Sequence, residues 1–178
     1  MDDRTQVIEQ LWRKLGLLVP DFHFLEPSQL PDAYRGLLAH ESGMTATLEQ
    51  HWGGPIEIEL LADDIVTEQR SLFRFVVLRL RQTRLAVELA TIRIPLDHFD
   101  PSIRANFIEG VRPFGALLAD AGIRFRGRPI AYFSLAADSL AATKTNIPVG
   151  TALYGRINQL IGESGEVLCE TVEMLPRA

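Results

Sequence analysis

The stretch SLFRFVVLRL, Ser71–Leu80, decides the fold. Alternation places Arg74, Val76, Leu78 and Leu80 on one face and Phe73, Phe75, Val77 and Arg79 on the other. Both faces are apolar enough to be buried, so this is a central strand covered on two sides. Arg74 is then a cation beside a core. That is costly unless it is paired, either with protein carboxylates and carbonyls or with an anionic ligand.

The flanking segments fit an antiparallel sheet. PIEIELLADD precedes as a strand, with Ile56, Ile58 and Leu60 opposite Glu57 and Glu59. RQTR reads as a hairpin turn into RLAVELATIRIP, a strand that Pro95 ends. DPSIRANFIEGV is a short helix with Asp100 as N-cap and Pro101 in its first turn, and RPFGALLADAG is another, closed by Gly122. IRFRGRPIAYFSLA returns to strand, and TALYGRINQLI and EVLCETVEML form a hairpin around Glu163-Ser164-Gly165. Between them, residues 137–150 are small and polar and read as a mobile loop.

At the N-terminus, MDDRTQVIEQLWRKLG gathers Val7, Ile8, Leu11, Trp12 and Leu15 on one helical face. LVPDFHFLEPSQLPD, with three prolines, reads as an irregular linker. SQLPDAYRGLLAH is a helix with Ser28 or Asp32 as its cap. Strands joined mostly by tight turns, with helices at a few crossings, predict an α+β fold and one domain, 1–178, of which 1–30 is the helix and linker.

The chain has 178 residues, 47% hydrophobic and 23% charged, with a net charge of -5. These values suit a globular domain and argue against nucleic acid as a partner. No apolar run reaches spanning length, so no membrane partner is expected. The acidic start lacks a signal core, which makes the cytoplasm the simplest location. The basic residues are nearly all arginine, the lysines being Lys14 and Lys144. Arginine grips carboxylates with a planar fork, although base composition also enriches it.

Cys169 is alone, and His23, His40, His51 and His98 are scattered, so neither disulfide nor metal site is expected. Arg124, Arg126 and Arg128 alternate with Phe125 and Gly127 along one face, more simply a solvated face than a binding one. Glycine before Arg156 permits close approach of a neighbour or a ligand. Glu170 shares a strand face with Leu168, Val172 and Met174 and is a candidate acid, acceptor or partner for Arg74.

These pieces, in this order, resemble the chorismate lyase family. LLAHESGMTATLEQ resembles its LL…SMT…EQ segment, FRFVVL its arginine-bearing strand, and IRIPLDHF the strand end that follows. RPFGALL resembles its PLGxxL motif, and LYGRINQL with LCETVEMLP its WGRRSxL…TExFLP ending. The resemblance spans about Pro31 to Pro176. It implies a six-stranded antiparallel sheet with helices on one side and two helix-turn flaps over a buried pocket, without metal or cofactor.

By that resemblance Arg74 holds the ring carboxylate of the ligand, and Arg156 corresponds to the arginine of the GR motif, a candidate for the enolpyruvyl carboxylate. Met44 and Phe114 supply backbone contacts from the flaps, so that Gly43-Met44-Thr45 forms a lid. Arg126 is a further candidate for substrate binding. The family's glutamate after the threonine is Val172 here, which leaves Glu170 or Glu173, the latter through a β-bulge, to meet the far end of the ligand. The first reading is therefore a cofactor-independent lyase that eliminates pyruvate from chorismate to give 4-hydroxybenzoate, with Arg74, Glu170 and Glu173 as its catalytic residues. The alternatives are a cyclase or lyase of secondary metabolism on the same scaffold, and a non-catalytic sensor of small acids.

Overall fold

The computed structural model describes residues 3–66 and 70–178. Its elements in order are α1 (Asp3–Lys14), β1 (His23–Leu25), α2 (Asp32–Leu38), α3 (Met44–Trp52), β2 (Ile56–Val66), β3 (Ser71–Leu80), β4 (Ala86–Pro95), α4 (Pro101–Glu109), α5 (Phe114–Asp120), β5 (Phe125–Ala136), α6 (Ser139–Thr145), β6 (Ala152–Gly162) and β7 (Val167–Leu175). The α+β expectation is met. One antiparallel sheet runs β1-β5-β6-β7-β4-β3-β2. It consists of two meanders, β2-β3-β4 and β5-β6-β7, zipped together where β4 pairs with β7.

Among the described residues the sheet has seven strands rather than six. The extra one, β1, lies in the stretch expected to be an irregular linker and pairs with β5 through Phe24↔Phe133. Three residues are too few to show an alternation, and Pro20 and Pro27 bracket them, which suits a short edge strand. The expected loop at 137–150 contains α6. Its N-cap is Asp138, whose Oδ1 accepts from the Ala141 N–H at 2.7 Å. Arg79 and Arg177 donate to the carbonyls of Lys144 and Thr145 at its other end. A segment of small residues here packs closely, with Ala142 and Thr145 buried. Pro31, not Ser28 or Asp32, occupies the N-cap position of α2.

Side-chain alternation divides the sheet as expected from Ser71–Leu80. Phe73, Phe75 and Val77 join the core under α1, where Ile8, Leu11 and Trp12 are buried. Residues 1 and 2 of the predicted N-terminal helix lie outside the described residues. The helices that build the pocket, α2 to α5, lie on the opposite face, over Val76, Leu78 and Ile94. Among the described residues, no helix is long and apolar enough to cross a membrane.

Gly155 shows why a strand interior carries a glycine here. It pairs with Phe133 on β5, whose ring fills the space a side chain would take. A Cβ at this position would lie 2.5 Å from Phe133 Cζ and also collide with the Glu173 carbonyl. The glycine therefore accommodates a neighbouring ring, not a ligand. Gly155→Ala is expected to cost about 3 kcal/mol, because rigid backbone and a buried ring must both shift. Urea denaturation checks this, and a loss below about 0.5 kcal/mol would show that the strands adjust freely.

Candidate functional site

The two crossings between the meanders and the N-terminal arm place α2–α3 and α4–α5 over the same sheet face. A cavity of about 300 Å³ is left between that face and the first turns of α3 and α5. Its walls are mostly apolar, with Val76, Leu78, Ala90, Ile92, Ile94 and Phe107 prominent. Met44 and Phe114, the first residues of α3 and α5, both line it, as do Gly43 and Thr45. The stretch Gly43-Met44-Thr45 is thus pocket rim as well as packing.

Arg74 enters from β3 and is only 5% exposed. Its Nη2 donates to the Ile108 carbonyl near the end of α4 at 2.6 Å. Gly110, in the left-handed region at φ 70°, closes that helix. A Cβ there would come within 2.8 Å of Arg74 Cζ, so the glycine lets the guanidinium lie against the backbone. Arg74 Nε has no hydrogen-bond partner. Burial lowers the guanidinium's pKa, while Asp63, opposite it on β2, raises it.

Arg156 has a different surrounding. It is fully buried and does not line the cavity. Its Nε donates to Glu173 Oε2 at 2.5 Å, and its Nη1 donates to the carbonyls of Leu38 and His40, each at 2.9 Å. Glu173 in turn accepts at Oε1 from the Thr171 hydroxyl at 3.0 Å. Arg156 thus stands behind Glu173, which reaches the cavity wall. His40 rests against this guanidinium, and burial, then the Arg156 charge, lowers its pKa.

The register of β7 corrects the expectation about its glutamates. Cys169, Thr171 and Glu173 face the cavity without any bulge at Val172, since β4 and β7 stay in regular register from Leu89↔Met174 to Arg93↔Glu170. Glu170 points to the other face, where Arg93 and Gln159 donate to it at 2.9 and 3.0 Å. Val172 is buried in the core under α1. Arg126 is exposed, on the far side of β5 from the cavity-lining Phe125. The cavity therefore brings together Arg74, Met44, Phe114 and Glu173, and leaves out Glu170, Arg126 and Arg156.

Glu88 is the residue that sequence reasoning passed over. It lines the cavity from β4, is 2% exposed, and its Oε2 has no partner. Burial raises its pKa well above the usual carboxylate range, nearby Glu173 raises it further, and Arg156 opposes them. The signal was present in RLAVELATIRIP, where one carboxylate alternates with Ala86, Ala90, Ile92 and Ile94. Among the described residues, no three His, Cys, Asp or Glu side chains are gathered as a metal site would need.

No family model and no curated protein matches the chain. Solved structures do. The chain is similar to PhnF from Mycobacterium smegmatis, at 16% identity over 77% of this chain and 64% of that one, with a TM-score of 0.59. It is similar to the effector domain of that protein, at 17% identity over 78% of this chain and 92% of the domain, again at 0.59. A third match is the ligand-binding domain of a candidate GntR-family transcriptional regulator from Bordetella bronchiseptica, at 11% identity over 68% and 83% of the two chains, with a TM-score of 0.51. The chain thus spans less than two thirds of the length of intact PhnF. At these identities the likeness establishes the fold.

These matches correct the lyase reading. The structures named above include an effector domain and the ligand-binding domain of a candidate transcriptional regulator, and none of them is a lyase. The geometry agrees. Chorismate is a dianion, and Arg156, the arginine expected for its second carboxylate, is already committed to Glu173 and two carbonyls.

Two outcomes follow from this geometry. Arg156→Ala should cost about 3–5 kcal/mol in chemical denaturation, since it strands a buried carboxylate and two carbonyls. A loss under 1 kcal/mol would mean the pair carries little. Glu88 ionises near 4.5 when unfolded but holds its proton to higher pH when folded. Folding therefore weakens as pH rises above that value, by at most about 1.4 kcal/mol per pH unit. Glu88→Gln lacks this penalty, so its Tm relative to the parent should climb as pH is raised from about 4.5. A pH-independent difference in Tm would contradict a proton held by Glu88.

Proposed function

We propose that this chain is a non-catalytic sensor domain for a small carboxylate. It acts as one unit over residues 1–178, and occupancy of its pocket is read by a partner. The observation that carries this is Arg74, a buried guanidinium whose Nε has no partner, lining a largely apolar cavity. An incompletely paired buried cation is stabilised by an anion brought to it, and apolar walls reward the body of that anion. Met44 and Phe114 close the pocket from the two helix starts.

The other lining groups support binding over chemistry. Cys169 is fully buried, and burial together with Glu173 pushes its thiol pKa well up, the reverse of what a nucleophile requires. Glu173 is tied into the Arg156 pair and Thr171 into Glu173, so neither is poised to move a proton. The regulator domains that share the fold are consistent with the same use.

Thermal shift against a panel of small monocarboxylates tests the reading. A ligand at a hundred times its Kd should add about 2.7 kcal/mol to stability. Arg74→Ala should remove that gain while remaining folded. Equal stabilisation of parent and variant would place the acid elsewhere and overturn the proposal.

A further inference from the structure

The end of the cavity away from Arg74 is short of positive charge. Two carboxyls, Glu88 and Glu173, reach it, and Arg156 is the guanidinium behind them. Arg156 gives its Nε hydrogen to Glu173 and spends Nη1 on Leu38 and His40, while its buried Nη2 has no partner and makes no hydrogen bond to Glu88. Glu88 Oε2 receives nothing, although the side chain is almost wholly buried and lines the empty space. A bulge in β4 puts Val87 as well as Ala90 on the pocket side of the sheet beside Glu88, so the strand offers no side-chain donor. A buried oxygen without a partner is costly, and a ligand donor would recover that cost.

The register sets the spacing. Arg74 pairs with Ile92 on β4, and Glu88 lies four residues back along that strand. At strand rise the two levels are about 13 Å apart. Both side chains leave the same face, and the hydrogen bond to Ile108 with the seat on Gly110 holds the Arg74 guanidinium at the α4 end.

Resting on the small-acid reading above, we propose that the ligand is a spaced zwitterion, with a carboxylate for Arg74 and an ammonium several bonds away held by Glu88 beside Glu173. An α-amino acid carries both charges on one carbon and does not bridge the two levels. A hydroxyl would satisfy the orphan oxygen but leave two carboxyls sharing one guanidinium. An ammonium gives each carboxyl its own cation. The proton balance is simple. The ligand nitrogen keeps its hydrogens, Glu88 ionises against it, and the Glu88 proton passes to solvent, one per ligand bound. The other titratable and charged groups lining the cavity or packed behind Glu173 are Cys169 from β7, Arg156 from β6 with His40 against it, Glu49 from α3 and Arg112 before α5, with Arg74 at the opposite end. Glu49 already accepts from the Ile56 N–H at 2.9 Å.

The test is calorimetry at several pH values above the ordinary carboxylate range, since burial raises the Glu88 pKa, in two buffers of different ionisation enthalpy. Four probes share one chain length: 6-aminohexanoate, hexanoate, 6-hydroxyhexanoate and 2-aminohexanoate. The first should bind about ten- to a hundred-fold tighter than the others, the range expected of a charge-assisted hydrogen bond. It should release close to one proton, and hexanoate none. In Glu88→Gln both the preference and the proton release should vanish. Should that variant not fold, the order of affinities and the proton count in the parent decide alone. Equal affinities for amino and hydroxy acids, or no proton release, would overturn the inference. Hexanoate binding that depends on Arg74 and gains nothing from the amine would leave the sensor reading intact while sinking this one. No binding by any of the four would sink both.

Discussion

The buried pair between Arg156 and Glu173 is what the site depends on. It joins β6 to β7 beneath the cavity and, through the Leu38 and His40 carbonyls, ties the sheet to the turn that launches α3. Neither charge is solvated, so each requires the other. The arrangement fixes the position of the α3 start, hence of Gly43 and Met44 at the rim. Its Nε and Nη1 are taken up there, while Nη2 has no hydrogen-bond partner, so the same guanidinium lies near Glu88 without donating to it. One interaction therefore shapes the lid and leaves the acidic end of the pocket short of charge.

Much of the fold was legible in the chain because burial on two sides leaves a mark in composition. Ser71–Leu80 reads as an interior strand since both of its faces are apolar, and Arg74 stands out against them. The helix starts at Met44 and Phe114 were placed at the pocket by resemblance. What was not legible depends on register and length. The strand β1 is too short to show a period, and the helix α6 is built of small residues whose packing partners, Arg79 and Arg177, are distant in sequence.

The glutamates show the limit most clearly. Alternation correctly separates Glu170 from Glu173, but it does not say which face of β7 meets the cavity. That is decided by pairing with β4, which puts Ala90 beside Glu173 and Arg93 beside Glu170. A motif comparison that fixes attention on Val172 looks at the wrong face, because that position is core under α1. Glu88 was missed for a related reason. A strand with one carboxylate reads as ordinary until its neighbours show that no partner waits for it.

The same scaffold can serve turnover or binding, and the difference lies in how its charges are committed. Elimination from a dianion needs two free anion grips and a dry pocket that orients the leaving group. Here Arg74 and Arg112 line the cavity, while Arg156 is held behind it by Glu173 and two carbonyls. The pocket has apolar walls, few cations and a buried carboxyl, Glu88, whose pKa burial raises. Those properties support the receptor reading proposed above. Binding requires only that a ligand satisfy Arg74 and the orphan oxygen better than water does, and nothing in the geometry asks the bound molecule to react.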